Sequence, residues 1–503
     1  MRALATGLLV LLLPLCGCSI GGGDAAAQKP KRPHAVLVVL DEFPGDTLVG
    51  QDGRIDAGRY PHFAALAGDS TWFRNAYTAY DSTTKAVPLV LDGIRPRRGT
   101  SPTARDHPQS IFTALGRGGY RIVTSEEATA ICPRRYCPTE LQRRPAIIPN
   151  LKGGRAERFG RFIRSIRATG RPTFWMKHAL LPHGPWVYMP SGHRSRPEGP
   201  EFLPGMQTIP GFYDDYLTRH NEQRYLLQLG FVDRLLGRLV ARLKSQGMYD
   251  DTAIVVTADH GFAWQVGVPT RRSVNPSNVE ELGPVPLFVK APRQTRGRVS
   301  DALARTLDVT PTIADVLNVP LGYRADGSSA FSREVRARDQ VSLTERDFSS
   351  VVRISSSRWE ARRRAVVRRR LRQLGSGDWA SLYTSLGPNR NLIGERADDV
   401  QAASGARATI SLSRSFARVR RSSGVVPCQI AGRIRGSEAR GERDLAIAVN
   451  GRIEAVGRSF HLKGERVESY SVMVPEDALR EGSNRVEVLE VTDEGAMVLL
   501  ARS

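Results

Sequence analysis

Thr252-Ala-Ile-Val-Val-Thr-Ala-Asp259-His260-Gly261 carries an apolar, β-rich run straight into a carboxylate, an imidazole and a glycine. A strand buried on both faces reads this way, and open α/β sheets place their sites beyond the carboxyl ends of such strands. Asp259 and His260 offer one hard oxygen and one nitrogen to a divalent cation. The plainer reading makes Asp259 a turn cap and His260 a satisfied loop residue. The pattern recurs, however. Ala35-Val-Leu-Val-Val-Leu40 runs into Asp41-Glu42, Thr173-Phe-Trp-Met176 into Lys177-His178 with His183 soon after, and Val285-Pro-Leu-Phe-Val289 into Lys290. Four such runs point to one polar site on one rim of a mostly parallel sheet.

Amphipathic segments separate these strands. Asn221 to Lys244 has a helical period, with Leu226, Leu229, Val232, Leu235, Leu236, Leu239, Val240 and Leu243 on one face. The expected architecture is an α/β core with helices flanking the central sheet. The catalytic α/β domain is expected over 34–330, followed by an Arg-rich helical extension over 331–404 and a small antiparallel β-sandwich over 405–503. In the last, Leu445–Val449, Asn450-Gly451 and Arg452–Val456 spell a hairpin with a tight turn. The extension holds nine Arg between Arg353 and Arg372, in a helix expected around Ala361 to Leu374. Such a run usually marks a solvated face.

The chain's 503 residues are long enough for a large core and more than one domain. Its formal charge of +22 comes from basic residues that are mostly Arg and spread along the whole length. No aromatic-interleaved basic motif accompanies them, which argues against nucleic acid as partner. An excess of this sign favours anionic surfaces or substrates.

Residues 1–18 read as a signal peptide and 19–33 as a tether. Arg2 precedes the apolar Leu8–Leu15, which is too short to span a bilayer comfortably. Leu15-Cys16-Gly17-Cys18 then resembles a bacterial lipobox, with Cys18 as the lipidated residue and membrane anchor. A plain secretory signal cut nearby is the milder alternative. Either places the mature protein outside the cytoplasm, at the outer face of the cytoplasmic membrane or the cell surface, or secreted. Cys132 and Cys137 are then expected to form a local disulfide, and Cys428 to be a buried thiol.

The segments Leu40-Asp41-Glu42, Asn75-Ala-Tyr-Thr through Leu91-Asp-Gly93, Leu181-Pro-His183-Gly-Pro-Trp186, Thr257-Ala-Asp259-His260-Gly261 and Val285–Lys290 together resemble the alkaline phosphatase superfamily, in its sulfatase-like branch. The resemblance covers roughly 34 to 325. It implies a nucleophile at a helix N-terminus ahead of Gly93, which counts back to Thr83, with Thr84 one residue off. No Cys-x-Pro-Ser-Arg frame is present, which argues against a formylglycine sulfatase. A Thr nucleophile is what lipoteichoic-acid synthases and phosphoethanolamine transferases of this superfamily use.

The implied metal ligands are Asp41, Glu42, Thr83, Asp259 and His260. His183 and Lys290 would meet charge on the ester or protonate the leaving oxygen. His178 is a weaker catalytic candidate, with support of the strand end as its plainer role. After Gly261 no His appears until His461, which favours one cation over two. The ligand set suits Mg, Mn or Ca better than Zn. The expected activity is hydrolysis or transfer of a phosphate or sulfate ester group on an envelope glycan or lipid. The rival is an envelope protein of the same fold that binds glycan without turnover.

Overall fold

The structure, a computed structural model, describes residues 32–138, 147–197, 203–206, 213–267, 271–398, 400–403, 405–436 and 442–503. Cys18, the signal segment and most of the tether lie outside the described residues. Seven strands make the central sheet: β1 (His34–Asp41), β2 (Thr71–Phe73), β3 (Arg121–Ser125), β4 (Thr173–Pro182), β5 (Thr252–Ala258), β6 (Leu287–Lys290) and β7 (Arg298–Ser300). Their order is β3-β4-β1-β5-β6-β2-β7. The strands β3, β4, β1 and β5 run parallel, while β6 runs against both of its neighbours. Every residue of β1, β4 and β5 is buried. That burial explains their near-continuous apolar composition.

The 31-residue helix Asp215–Ser245 packs along this sheet. Asp214 caps it, its carboxylate accepting from Leu217 N at 2.6 Å. Its buried face includes the expected leucines and also Gln228, whose Nε2 donates to the carbonyls of Pro182 (2.8 Å) and His183 (3.0 Å). The helix therefore fixes the turn that carries His183.

A hairpin, β8 (Gln340–Thr344) and β9 (Val351–Ser355), leads into the Arg-rich helix Ser356–Leu374. That helix is only partly solvated. Arg363 sends Nε to Asp46 Oδ2 at 2.9 Å and Nη2 to Oδ1 at 2.6 Å, and Arg370 caps the carbonyls of Asp46 and Val49. The remaining strands are β10 (Arg407–Ala408), β11 (Gln429–Arg435), β12 (Asp444–Val449), β13 (Arg452–His461), β14 (Glu468–Met473), β15 (Val486–Val491) and β16 (Met497–Arg502). They form one antiparallel sheet, β10-β11-β14-β13-β12-β15-β16, whose edges curl until β10 meets β16. Asn450 and Gly451 turn the β12–β13 hairpin with φ of 52° and 85°, the two positive values a type I′ turn requires. Among the described residues no helix is long and apolar enough to cross a membrane.

Candidate metal and ester site

The site begins where β1 and β5 end side by side. Asp259 N donates to Leu40 O at 3.0 Å, so the two strand ends are tied together. Asp259 Oδ1 accepts from the backbone N of Glu42 (3.2 Å) and of His260 (2.6 Å). Its Oδ2 lies 3.4 Å from His260 Nε2 and is buried with no hydrogen-bond donor among the described residues. His260 Nδ1 is 2.8 Å from Gly261 O, which puts the ring N–H there and turns the Nε2 lone pair into the site. Gly261 has no room for a side chain, since a Cβ would stand 2.8 Å from Leu282 O.

Thr83 is the first residue of the helix Thr83–Asp92. Its Oγ1 lies 3.3 Å from Asp41 Oδ1 and 3.2 Å from His260 Nε2. A helix N-terminus with unsatisfied N–H groups favours an anion there. Asp41, Asp259 and His260 each offer one atom, all within 4.8 Å of one another. Burial first, then the neighbouring Asp259 and Glu42 charges, raises the Asp41 pKa well above the carboxylate range. A bound cation would remove that conflict and partner the orphaned Asp259 Oδ2. The two oxygens and one nitrogen fit a hard or borderline divalent ion.

Not every residue expected here takes the expected place. Glu42 stands outside the three-residue group. Its backbone is left-handed, φ 58°, and its carboxylate accepts from Arg271 Nη2 at 3.1 and 3.2 Å. Arg272 Nε lies 3.3 Å from Oε1, and His183 Nε2 3.5 Å. Burial works to raise the Glu42 pKa, but Arg271, His183 and Arg272 together hold it far below normal. Glu42 is thus an anchor for two guanidinium groups. His183 does reach the site's edge. Its Nδ1 sits 2.6 Å from Gly184 O, and burial pushes its pKa down to about 4 against the pull of Glu42, so the ring is neutral at pH 7.

Lys290 is a correction. Because β6 is antiparallel, Lys290 pairs with Ile254 near the start of β5, on the opposite rim. Its Nζ donates to the carbonyls of Tyr249 (3.1 Å) and Asp250 (3.2 Å), far from the ester site. His178 lies within β4, fully buried below the site. Thr84 is half-buried beside Thr83 and is not hydrogen-bonded to the cluster. Cys132 and Cys137 are bridged, with Cα atoms 6.0 Å apart, and Cys428 is a buried free thiol.

Arg271 and Arg272 are the site residues that sequence reasoning missed. Among 65 arginines nothing local distinguishes them. Asp81 was also missed. It accepts from Val274 N at 3.0 Å and from Arg346, which reaches over from the β8–β9 hairpin. Asp81 therefore joins the approach to Thr83 to the loop that carries the arginine pair.

The family model described as Sulfatase matches residues 33–319. Human N-sulphoglucosamine sulphohydrolase is 25% identical over 310 residues, 54% of this chain and 60% of that protein. N-acetylglucosamine-6-O-sulfatase of Bacteroides thetaiotaomicron is 30% identical over 129 residues, 25% of this chain and 22% of its own length. The chain thus spans under two thirds of either relative. Among solved structures, the phosphonate monoester hydrolase of Agrobacterium radiobacter aligns with a TM-score of 0.47 at 18% identity, covering 63% of this chain and 82% of that one.

Proposed function

The chain belongs to the sulfatase family, and we propose that it hydrolyses or transfers a phosphate or sulfate ester group on an envelope glycan or lipid, with Thr83 as nucleophile. The observation that carries this reading is the Thr83 hydroxyl, 3.3 Å from Asp41 and 3.2 Å from His260 at the first turn of a helix. A threonine hydroxyl is a weak nucleophile until its proton has somewhere to go. Asp41, Asp259 and His260 would hold one divalent cation, which when bound lowers the pKa of a coordinated hydroxyl and polarises the ester.

The remaining roles belong to the chain itself. The helix N-terminus orients the anionic group beside Thr83 Oγ1. Arg271 and Arg272, positioned by Glu42, bring positive charge to the ester oxygens. The new bond joins Thr83 Oγ1 to phosphorus or sulfur as the ester oxygen leaves. The proton lost from Thr83 balances the one the leaving oxygen gains. Water or an acceptor alcohol then releases the group from Thr83.

Export, with anchoring through Cys18, completes the proposal. It rests on the N-terminal pattern, and the Cys132–Cys137 bridge accords with an oxidising compartment. The sulfated-sugar enzymes among the relatives support a glycan target. A metal-replete assay against aryl phosphate, phosphodiester and sulfate esters tests the reading. Turnover of one class identifies the ester. No turnover of any, alongside retained glycan binding, replaces the enzyme with the non-catalytic binder.

A further inference from the structure

His178 is an anomaly of this fold. It is fully buried, and among the described residues neither ring nitrogen has a hydrogen-bond partner. Buried polar groups are normally paired, and an orphan costs free energy unless something outside the resting structure meets it. An ordinary core position in a parallel strand would take Val, Ile or Phe at no such cost.

Its place in the sheet shows what it could serve. His178 of β4 and Thr257 of β5 both pair with Val39 of β1, so the three side chains lie in one row on one face. Side chains alternate along a strand, and Asp41 and Asp259 follow Val39 and Thr257 by two residues. The carboxylates therefore stand on the same face, one pleat repeat above the imidazole, roughly 6–7 Å along the strands. Burial pushes the His178 pKa down to about 4, opposed first by the Asp259 charge, so the ring is neutral and carries a single N–H. Lys177, one residue earlier, turns to the other face, where it meets Ser125 and Glu127.

We propose that His178 is a positioning residue that steadies Asp259 from below, its ring N–H reaching the orphaned Oδ2 through one buried water. This inference rests on the reading that Asp41, Asp259 and His260 hold a cation. Carboxylates that bind metals are themselves held by such hydrogen bonds, and losing one typically costs 10–100-fold in metal affinity. Asp259 Oδ1 is already fixed by two backbone N–H groups, so Oδ2 is the oxygen left to orient.

The test uses the metal-stripped full chain, with Mn²⁺ affinity measured by calorimetry and apo stability by melting temperature. His178→Phe keeps a ring of similar size and removes both orphaned nitrogens. It is expected to weaken Mn²⁺ binding by about 10–100-fold while the apo melting temperature holds or rises. His178→Gln, which restores an N–H, is expected to recover most of the affinity. If His178→Phe does not fold, His178→Leu against His178→Gln gives the same comparison. Mn²⁺ binding by the apolar variant as tight as the parent's would overturn the proposal and make His178 an inert core residue. A parent that binds neither Mn²⁺, Mg²⁺ nor Ca²⁺ would overturn the metal reading itself, and this inference with it.

Discussion

Replacing Thr83 by Ala separates a nucleophile from a residue that merely braces the carboxylates. The substitution removes one hydroxyl whose two contacts are 3.3 and 3.2 Å long. Both are long and share the one Thr83 O–H between the Asp41 carboxylate and the His260 nitrogen, so together they contribute at most about 1 kcal/mol of stability. The methyl and backbone of the first helical turn remain, and the fold should lose only a few degrees of melting temperature. A bracing role worth about 1 kcal/mol would slow turnover roughly fivefold. Loss of an activated nucleophile typically lowers the rate by about four to six orders of magnitude. The assay is kcat/KM on whichever ester the parent turns over, with mass spectrometry of the peptide holding Thr83 after rapid quench. The expected outcome is loss of both turnover and adduct in Thr83→Ala, retained metal affinity, partial recovery in Thr83→Ser, and a mild effect of Thr84→Ala. Turnover within about a hundredfold of the parent in Thr83→Ala would refute the covalent route and leave attack by a metal-bound water.

Three further outcomes follow from the geometry. Arg363→Ala should destabilise the protein by about 3–5 kcal/mol, because it strands the buried Asp46 carboxylate, while Arg364→Ala on the exposed face of the same helix should cost under about 0.5 kcal/mol in a denaturant titration. His220 stays neutral when folded because burial, and then Arg224, lowers its pKa to about 3, whereas the unfolded chain takes up a proton below 6.5. Its contribution is therefore present above pH 6.5 and declines as pH falls, by about 1.4 kcal/mol per unit at most, so the parent should lose more stability between neutral and mildly acidic pH than His220→Gln. Lys290→Met should leave kcat unchanged and act only on stability, since its ammonium caps carbonyls on the far rim; a kcat loss of tenfold or more would contradict that assignment.

The parts of this fold that were legible in sequence are those in which burial alone sets the pattern. The runs His34–Asp41, Thr173–Pro182 and Thr252–Ala258 are apolar because both faces of the sheet are covered, so Asp41 and Asp259 stand out as soon as the runs end. The choice of Thr83 came instead from the family resemblance, by counting back from Gly93. That spacing spans one ten-residue helix closed by a glycine at φ 70°, where a Cβ would sit 3.2 Å from Ala325 and Pro311. The role of Glu42 was not readable. Adjacent to Asp41 it looks like a second ligand, yet its left-handed backbone and a loop over two hundred residues later turn it toward Arg271. The Arg-rich helix misled for a similar reason. Composition cannot tell Arg363, which meets the buried Asp46, from Arg364, which pairs with Glu360 on the exposed face.

Strand direction explains both the lost lysine and the unforeseen arginines. After β5 the chain does not cross back beneath the sheet, as a parallel successor would require. It stays on the site rim. Phe43 N donates to His260 O, Gly261 N to Leu282 O, Gly45 N to Pro284 O and Val285 N to Ala76 O, so both ends of the segment are stitched to that rim. The next strand can then only run away from the site, which carries Lys290 to the far end. The same retained segment holds Arg271 and Arg272 beside Glu42. A parallel β6 would have brought one ammonium to the ester. The reversed β6 leaves room for a loop that brings two guanidinium groups, whose planar donors match the oxygens of a phosphate or sulfate better than a single point charge does.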